Sequence, residues 1–583
     1  MVNQPPIGLD DAPLLELHQA LRQAWGIDFR RLRTLICGLS DGSWQTISNL
    51  VQLSTLSHRT VTNLVRRLSP WLEEEEERVR LRPESAPSFR DLFTCEQLSQ
   101  PRFPDPYEVA AGAHPALPEI EQILANAPRS DRNLDHVSAT PLTCLKRALF
   151  LADCCDLDGA EILCLGDHDL TSVALALLFP DLTISVLDVD ERILGYIGTL
   201  ARDRDWSIQT TFADLRVELP RSMSERFDLV FTDPPYTPAG IELFLKRGIA
   251  SLRDPRVGRL FLCYGFGEGH PGLGLKVQSV LHDLRLISEA VLPHFNRYTG
   301  AEAIGSASEL YICRPTRRSS SAANAVGADA HIYTQGKSSE EGEKKIINPE
   351  ILSAVEQRLS TFESSKLTCV GDGWPTENFS PTHATSLGGF LQTMYLGAGK
   401  PPFTQLPHSG TVVANLYPHY GSYLPRVLLA AAAEHLVICA PDRDLHHIFV
   451  SDAGKPLLPL MESAYRSVVL RRGDDELPGF VVLERIPPPE APGLPFLLRY
   501  LADRRRAKLG NAWREGLIAW RQKSAAPRLT KNQARELIAV SGYPTVHLQG
   551  HLSELPEHAL QAVVQTSRQI LDADLSESTE QSR

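Results

Sequence analysis

The sequence predicts an α/β protein with a central Rossmann-like domain, an N-terminal winged-helix-like module and a further C-terminal α/β domain. Three short apolar runs indicate the central domain, at residues 162–165, 184–187 and 227–231. Such runs are typical of buried parallel strands. They lead into Gly166, Asp188 and Asp233. Because doubly wound sheets bind ligands at the carboxyl ends of their strands, we expect the functional site at these turns.

The first 82 residues predict a helix-turn-helix followed by a wing. Residues 14–25, 29–39, 44–50 and 57–68 have helical patterns, Ser57 is a suitable N-cap, and 79–81 would be the wing strand. Helix 57–68 carries His58, Arg59, Arg66 and Arg67, which would suit DNA binding. The acidic run 73–77 follows it directly and would repel phosphate. We therefore favour a helical module that packs on the enzyme or forms a dimer.

The central unit follows a segment, 83–130, whose proline and polar residues predict a connector. Its other expected elements are helices at 143–151, 171–179 and 240–252 and strands at 260–263, 284–292 and 309–313. The strand at 260–263 ends in the loop 264–267, which we expect to border the same cleft.

The C-terminal half follows a segment, 317–345, that has almost no large apolar residue and predicts a linker. Beyond it, the strand, proline-containing loop, helix and strand between 412 and 439 echo the order around Asp233. Both a degenerate second Rossmann-like domain and an unrelated α/β domain fit this echo. The expected domains are a winged-helix-like domain 1–95, a Rossmann-like domain 96–315, a flexible linker 316–345, an α/β domain 346–490 and a helical region 491–583.

Composition restricts the partners and the compartment. The 583 residues have a net charge of −12, which gives no general electrostatic case for nucleic acid. The 10 cysteines include no CxxC pair, so we expect reduced thiols in a cytoplasmic protein. No apolar run reaches the roughly 18 residues of a membrane span, so we expect no membrane association.

The turn Gly166-Asp167-His168-Asp169 differs from a dinucleotide-binding loop. It has one glycine where a pyrophosphate needs several, and its carboxylates would repel phosphate and attract a cation. An adenosyl sulfonium compound is a cation without phosphates and suits the turn better. Asp188 lies 22 residues after Gly166, near the roughly 20-residue spacing of an acid that binds ribose hydroxyls.

The loop Asp233-Pro234-Pro235-Tyr236 after the third strand predicts amine chemistry. The acid and a proline carbonyl can accept hydrogen bonds from one amine and hold its lone pair toward an electrophilic carbon. Tyr236 can cover a flat base or an alkyl chain. Both methyl transfer to an adenine amine and alkyl transfer to an aliphatic amine fit this loop. The aliphatic amine must lose a proton before attack, and Asp167, Asp169 and Asp233 would converge to take it. Asp167 or Asp169 could instead cap the helix that starts near Leu170.

Three blocks of the sequence resemble the branched-chain polyamine synthases. They are Asp135 with Thr140, Thr143 and Arg147, then GDHDLTS from Gly166, then DPPYTPAG from Asp233 with Phe244 and Arg247. The resemblance covers roughly residues 20–315. It implies a winged-helix-like part and a methyltransferase-type Rossmann-like part. It further implies transfer of an aminopropyl group from decarboxylated S-adenosylmethionine to the secondary amine of spermidine, with release of methylthioadenosine.

The resemblance also assigns roles to residues. Asp188 would hold the ribose and Asp214 the adenine amino group, with Gly166 and Asp135 as further donor-binding residues. Asp169 matches the proton acceptor of the family, and Asp167 and Asp233 complete the catalytic set. His168, Pro234 and Tyr236 would bind the acceptor polyamine. We expect no metal, and we expect the chain to form a homodimer. The sequence departs from the family at His168, which stands where the acidic motif has a third carboxylate, and in everything beyond residue 316.

Two other functions fit the same sequence. One is an S-adenosylmethionine-dependent amino-methyltransferase acting on nucleic acid or a small amine. Such an enzyme must bind the methionine carboxylate, which a turn with one glycine and two acids disfavours. The other is a DNA-binding regulator that keeps an inactive enzyme domain as a polyamine sensor.

Overall fold

Three β-sheets, each with its own helices, make up the fold. The computed structural model describes residues 12–98, 104–323, 332, 353, 355–357, 360, 367–371, 383–396, 410–417, 420–431, 433–471, 479–524 and 527–580. Along the chain these residues form a three-stranded, an eight-stranded and a six-stranded sheet. Strands are numbered β1–β17 in chain order below, and helices are named by their bounds.

The N-terminal region is a small helical unit with an antiparallel sheet and a separate apolar core. Its helices are Ala12–Trp25, Phe29–Leu39, Ile47–Ser54 and His58–Leu68, and its strands are β1 (Gln45–Thr46), β2 (Leu72–Glu75) and β3 (Arg78–Leu81). The four helices are confirmed, and so is the Ser57 cap, whose hydroxyl accepts from the Thr60 N–H at 3.4 Å. The sequence missed β2 because three of its four residues are glutamates, with only Leu72 buried.

Two cysteines of this region form a disulfide, Cys37 with Cys95. The bond joins the helix Phe29–Leu39 to the segment after the wing. The expectation that all cysteines are reduced is therefore wrong for this pair. The spacing gave no signal, since 58 residues separate the two positions.

The connector expected at 83–130 is also wrong, because this segment contains three helices. They are Ala86–Leu92, Pro106–Gly112 and Leu117–Ala125. Each has a proline at its first or second position. Proline is well accommodated there, since its missing N–H would have no helical partner and its φ angle suits a helix. The prolines that suggested an irregular connector mark helix starts.

The central unit is a doubly wound sheet. Its strands are β4 (Ser138–Ala139), β5 (Glu161–Leu165), β6 (Thr183–Asp188), β7 (Ile208–Phe212), β8 (Leu229–Thr232), β9 (Arg259–Tyr264), β10 (Leu286–Thr299) and β11 (Ala307–Pro315). They lie in the order β4-β10-β11-β9-β8-β5-β6-β7. Strands β5 to β9 run parallel, and β10 and β11 are antiparallel. The helices between them are Pro141–Cys154, Thr171–Leu178, Glu191–Asp203, Pro238–Ser251 and Pro271–Asp283.

Strand β5 shows why the apolar runs predicted this sheet. Ile162 and Cys164 enter one apolar cluster, and Leu163 and Leu165 enter another on the opposite face. A strand covered by helices on both faces needs apolar side chains at every position. The Rossmann-like α/β prediction is confirmed for this unit.

The third sheet has the same strand order as the second. Its six strands in the described residues correspond to the strands of the second sheet other than the outer strands β7 and β4. Its strands are β12 (Leu367–Val370), β13 (His383–Thr385), β14 (Thr411–Asn415), β15 (His435–Ala440), β16 (Tyr465–Arg471) and β17 (Gly479–Arg485). The order is β13-β12-β14-β15-β17-β16, parallel from β13 to β15 and antiparallel beyond. The helices of this half are Leu387–Leu396, Leu424–Ala430, Asp442–Phe449, Leu458–Glu462, Leu494–Asp503, Leu509–Lys523, Lys531–Val540 and Glu557–Glu580.

The two large units share one apolar cluster, which includes Ile184 and Phe212 of the central sheet and Val427 and Leu560 of the C-terminal half. Of the linker expected at 316–345, the structure describes residues up to the short helix Ser319–Ala323, and Ile332; the rest lies outside the described residues. No helix in the described part of the chain combines the length and the apolar character that crossing a bilayer requires.

Candidate active site

A cavity of about 1000 Å³ lies at the carboxyl ends of the central strands. This is the edge where a doubly wound sheet binds its ligands. Among the described residues that line it, six carry carboxylates and one carries a guanidinium. The acids are Asp135, Asp169, Asp188, Asp214, Asp233 and Glu302, and the guanidinium is that of Arg132. The cavity therefore favours positively charged ligands.

The turn after β5 places two of its acids differently. Gly166 has a φ of +68°, which favours glycine, and its N–H donates to the Leu187 carbonyl at 2.9 Å. Asp169 lines the cavity. Asp167 is fully buried, and its carboxylate accepts from the Ser172 N–H at 3.2 Å. Asp167 therefore caps the helix Thr171–Leu178, in contrast to the expectation that it faces the amines.

The end of the cavity near β6 and β7 holds the two acids expected to bind the donor nucleoside. Asp188 accepts from the backbone N–H groups of Asp167 at 3.1 Å and Asp190 at 2.8 Å. Burial raises the pKa of Asp188 to about 6. Asp214 accepts from the Arg216 guanidinium and from the Tyr423 hydroxyl. Burial acts to raise the pKa of Asp214, but the charge of Arg216 and these hydrogen bonds hold it below its usual value.

At the other end, Arg147 joins two acids from different strands. The guanidinium is fully buried and pairs with Asp169 through one nitrogen and with Asp233 through another, at 2.8 Å. Its Nε donates to the Asn296 side chain at 2.8 Å, which fixes the orientation of the guanidinium. A buried ion pair needs such supporting hydrogen bonds to offset desolvation. One cation therefore holds both carboxylates beside the cavity.

Two tyrosine hydroxyls complete the surroundings of Asp233. Tyr236 donates to one carboxylate oxygen at 2.9 Å, and Tyr298 donates to the other at 2.7 Å. Burial raises the pKa of Asp233, and the charge of Arg147 acts against that rise. A carboxylate with a raised pKa is a stronger proton acceptor than an ordinary one. Asp233 is therefore a candidate proton acceptor beside Asp169.

The remaining residues expected in the site are brought to the same cavity. Pro234 and Tyr236 line it beside Asp233, and Asp135 lines it from the loop before β4. The Tyr236 ring meets the ring of Tyr264 edge-on, with centroids 5.5 Å apart. Nine of the ten residues chosen from the sequence thus line one cavity, and Asp167 is the exception.

His168 lies against His136, with the rings nearly parallel and their centroids 4.3 Å apart. Burial, and next the neighbouring His136, lowers the pKa of His168 to about 4, so the ring is neutral at pH 7. Ligand atoms of both histidines and Asp190 lie within 4.8 Å of one another, which is close enough for a metal ion. However, the nitrogen lone pairs lie in the ring planes, and two stacked rings direct them along parallel planes. This geometry does not favour a shared ion, and the absence of a metal stays a prediction.

Comparison with known proteins identifies part of the chain. Residues 116–338 match the family model described as the branched-chain polyamine synthase A C-terminal domain. Two curated relatives align over about a third of the chain. An uncharacterised protein of Methanocaldococcus jannaschii is 38% identical over 181 residues, 31% of this chain and 45% of that protein. The N(4)-bis(aminopropyl)spermidine synthase of Thermococcus kodakarensis is 33% identical over 186 residues, 31% of this chain and 52% of that protein.

Residues 116–338 are therefore similar to the branched-chain polyamine synthase family. The chain spans about half the length of the curated relatives it matches. Among solved structures, the branched-chain polyamine synthase from Thermus thermophilus, in complex with N4-aminopropylspermidine and 5'-methylthioadenosine, is 21% identical with a TM-score of 0.38. That alignment covers 53% of this chain and 94% of that protein.

The region similar to this family contains contacts between site residues that the sequence did not reveal. The sequence indicates Arg147 only as part of the resemblance. In the structure its guanidinium donates to both Asp169 and Asp233, which lie 22 and 86 residues away in the chain. Tyr298 comes from the part of β10 that extends beyond the strand expected at 284–292. Tyr423 contacts Asp214 across 209 residues. The one available signal was that arginine and tyrosine are costly to bury without polar partners.

Proposed function

We propose that this chain is an aminopropyltransferase that moves an aminopropyl group from decarboxylated S-adenosylmethionine to an amine of spermidine or a related polyamine. The observation that carries the proposal is the excess of carboxylates around the cavity: six among the described lining residues, against the guanidinium of Arg132 in the lining and those of Arg147 and Arg216, which pair with three of these acids. The donor carries a sulfonium and an ammonium and lacks a carboxylate, and the acceptor is a polycation. Both substrates thus match this charge. The curated relatives named N(4)-bis(aminopropyl)spermidine synthase support the same reaction.

The reaction is a displacement at the carbon next to sulfur. The lone pair of the acceptor nitrogen forms the new C–N bond while the C–S bond breaks and its electrons return to sulfur. The sulfonium becomes the neutral thioether of methylthioadenosine. The nitrogen gives up one proton, which a carboxylate accepts.

The two ends of the cavity suit the two substrates. Asp188, with two backbone hydrogen bonds that fix its orientation, would bind the ribose hydroxyls. Asp214, at the end of β7, would bind the adenine amino group, and Gly166 and Asp135 would contact the same substrate. The acceptor would lie toward Pro234 and Tyr236.

Asp169 and Asp233 are the candidate proton acceptors. An aliphatic amine arrives protonated near neutral pH and has no lone pair until it loses that proton. Arg147 contacts one oxygen of each carboxylate, while the other oxygen accepts from the Thr171 hydroxyl in Asp169 and from the Tyr236 hydroxyl in Asp233. The arginine thereby orients both acids and limits how much negative charge faces the polyamine.

An amino-methyltransferase is the second candidate, and Arg132 is the observation in its favour. This residue lines the cavity and could pair with the carboxylate of intact S-adenosylmethionine. Asp131 and Asp135 lie close to it in the chain, which weakens that role.

One experiment separates the two reactions. The purified full chain is incubated with spermidine and either donor, and the products are resolved by mass spectrometry. Methylthioadenosine and an aminopropylated polyamine, formed only from the decarboxylated donor, are the expected result. S-adenosylhomocysteine formed from the intact donor would establish the methyltransferase instead.

The remaining expectations stay predictions. We infer a winged-helix-like module within residues 1–95, supported by the helix pair Ile47–Ser54 and His58–Leu68 followed by the hairpin β2–β3. The domain boundaries at 95, 315, 345 and 490, the homodimer and the cytoplasmic location are proposals of the same kind. The DNA-binding, polyamine-sensing regulator receives no support from the helix His58–Leu68, because Ser57 and His58 at its start contact Glu268 and Glu302 of the central unit.

A further inference from the structure

The third sheet can be aligned with the second, residue by residue, through its hydrogen-bonded register. Leu165 pairs with Leu187 on one side and with Thr232 on the other. Val370 in the third sheet pairs with Thr385 and Ala414 in the same two directions. The residues that follow these positions are therefore equivalent: Gly166 with Gly371, Asp188 with Ser386, and Asp233 with Asn415.

The glycine is retained in this alignment, and its local geometry is retained with it. Gly371 has a φ of +88°, and its N–H donates to the Thr385 carbonyl at 3.0 Å. Gly166 has a φ of +68° and donates to Leu187, the equivalent residue, at 2.9 Å. The C-terminal half therefore repeats the Rossmann-like architecture of the central unit.

Both acids are lost in the second copy. Ser386 replaces the ribose-binding carboxylate, and its hydroxyl accepts from the Gly389 N–H at 3.0 Å, as a helix cap does. Asn415 replaces the acid of the DPPY loop, and its side-chain oxygen accepts from the Tyr417 N–H at 3.1 Å. An amide does not accept a proton from an amine effectively. At these two described positions the second copy therefore lacks the carboxylates that the proposed reaction uses.

A short segment of the C-terminal half, residues 423–426, contacts residues near the end of the cavity where Asp188 and Asp214 lie. The hydroxyl of Tyr423 donates to Asp214, and the Tyr423 ring meets Phe212 edge-on at 5.5 Å. One turn later, the fully buried Arg426 pairs with Glu191 at 2.5 Å and lies 3.8 Å from the centre of the Phe212 ring. Tyr423 itself is 2% exposed.

These contacts reach both loops that carry the donor-binding acids. Asp214 lies just beyond the end of β7, and Glu191 begins the helix that follows Asp188 and β6. Glu191 also accepts from the Glu557 N–H at 2.8 Å, so a second element of the C-terminal half fixes it. Residues of the C-terminal half therefore contact both loops.

We propose that the C-terminal half is a non-catalytic copy of the catalytic unit whose Tyr423 and Arg426 are positioning residues for donor binding. The proposal rests on the proposed function, because it takes the end of the cavity at Asp188 and Asp214 as the nucleoside site. It assigns the half of the chain outside the matched family region to the same reaction.

The test compares two tyrosine variants of the full chain. Tyr423→Phe removes one hydroxyl and keeps the ring. Tyr465→Phe is the matched control, since its hydroxyl donates to the Ala431 carbonyl at 2.9 Å inside the C-terminal half. Methylthioadenosine affinity is measured by calorimetry, the Michaelis constants of donor and acceptor by steady-state kinetics, and folding by thermal unfolding.

We expect Tyr423→Phe to weaken methylthioadenosine binding and raise the donor KM about tenfold, as loss of a hydrogen bond to a charged group does. The spermidine KM and the Tm should match those of Tyr465→Phe. A purely structural role would lower the Tm without separating the two Michaelis constants. Donor binding by Tyr423→Phe that equals or exceeds that of the unmodified chain would overturn the proposal. Failure of the unmodified chain to bind methylthioadenosine would instead refute the proposed function.

Discussion

At the scale of single residues, Arg147 is the cation that pairs with both Asp169 and Asp233 beside the cavity. Two carboxylates without a cation between them would repel each other, and one would stay protonated. The buried guanidinium lets Asp169 and Asp233 lie on the same side of the cavity. Asp169 and Asp233 could be chosen from the sequence because they follow recognisable strands. The arginine between them could not, since no pattern indicates which helix covers a strand end.

The first residue-scale prediction concerns Asp169. Asp169→Asn keeps the size of the side chain but cannot accept a proton effectively. General-base help is worth about 10² to 10⁴ in rate, so we expect turnover to fall by that range at neutral pH. Methylthioadenosine binding should persist, because Asp188 and Asp214 are unchanged. Raised pH should restore part of the rate, since solvent then deprotonates more of the amine.

The exposed Asp203→Asn, on the same unit, is the control for folding. Single-turnover rates and calorimetric binding give the two readouts. Near-normal turnover by Asp169→Asn would transfer the proton-accepting role to Asp233, and Asp233→Asn would then show the loss.

The second residue-scale prediction concerns pH and Asp188. Burial raises the pKa of this carboxyl to about 6, so in the free protein it becomes protonated as the pH falls through that value. A neutral carboxyl binds ribose hydroxyls more weakly than a carboxylate. Methylthioadenosine affinity should therefore be constant above about pH 7 and fall by up to tenfold per pH unit below 6.

Two histidines and two aspartates near Asp188 should not produce the same dependence, and the variant Asp188→Asn separates the effect of Asp188 from that of Asp167, whose pKa burial also raises. The pKa of His136 and that of His168 are lowered to about 4 by burial, and Asp190 and Asp214 have pKa values below their usual range. Asp188→Asn should bind weakly at every pH between about 5 and 7.5, without the slope. An unmodified chain whose affinity is flat over this range would contradict the assignment.

At the scale of elements, periodicity located six of the eight strands of the central sheet, five of them within two residues at each end, but missed β4, β7 and the last part of β10. It also failed on the helices of 83–130. The strands are buried on both faces, so their apolar runs are unambiguous. The missed helices are short and have a proline at their first or second position. Prolines in a sequence usually indicate the end of a helix or an irregular segment. The repeat of the sheet order was only partly visible, because Ser386 and Asn415 replace the acids that would have marked it.

The element-scale prediction concerns the helix His58–Leu68. A carboxylate of Glu268 accepts from the backbone N–H of Ser57 at 3.2 Å and from its hydroxyl at 2.7 Å, and Glu302 lies 3.8 Å from His58. The first turn of this helix therefore faces acids of the central unit, which is not the orientation that entry into a DNA groove would need. We expect duplex DNA to bind no more tightly than a Kd of about 10⁻⁵ M at physiological salt, as measured by fluorescence anisotropy.

The charge-removing variant Arg66→Gln/Arg67→Gln should leave that weak binding unchanged. Tight binding that falls steeply with salt, and that disappears in this variant, would contradict the packing interpretation and favour the DNA-binding regulator.

At the scale of the whole molecule, the distribution of apolar clusters predicts which parts unfold together. One cluster joins a face of the central sheet to the core of the C-terminal half, whereas the N-terminal module has a cluster of its own. Regions that share a core lose the same contacts when either opens, so they tend to unfold as one cooperative unit. The central unit and the C-terminal half should therefore unfold together.

The last prediction is that methylthioadenosine stabilises both halves of that body. A ligand at 100 times its Kd adds about 2.7 kcal/mol to the free energy of unfolding of whatever unfolds with its site. In differential scanning calorimetry, one transition should contain both large units and move upward by a few degrees with ligand. Hydrogen exchange should slow in the C-terminal helix Leu509–Lys523, although it lies outside the cavity, and stay unchanged in the N-terminal helix Phe29–Leu39. Two separate transitions, of which only the catalytic one responds to ligand, would show that the shared cluster does not couple the two copies.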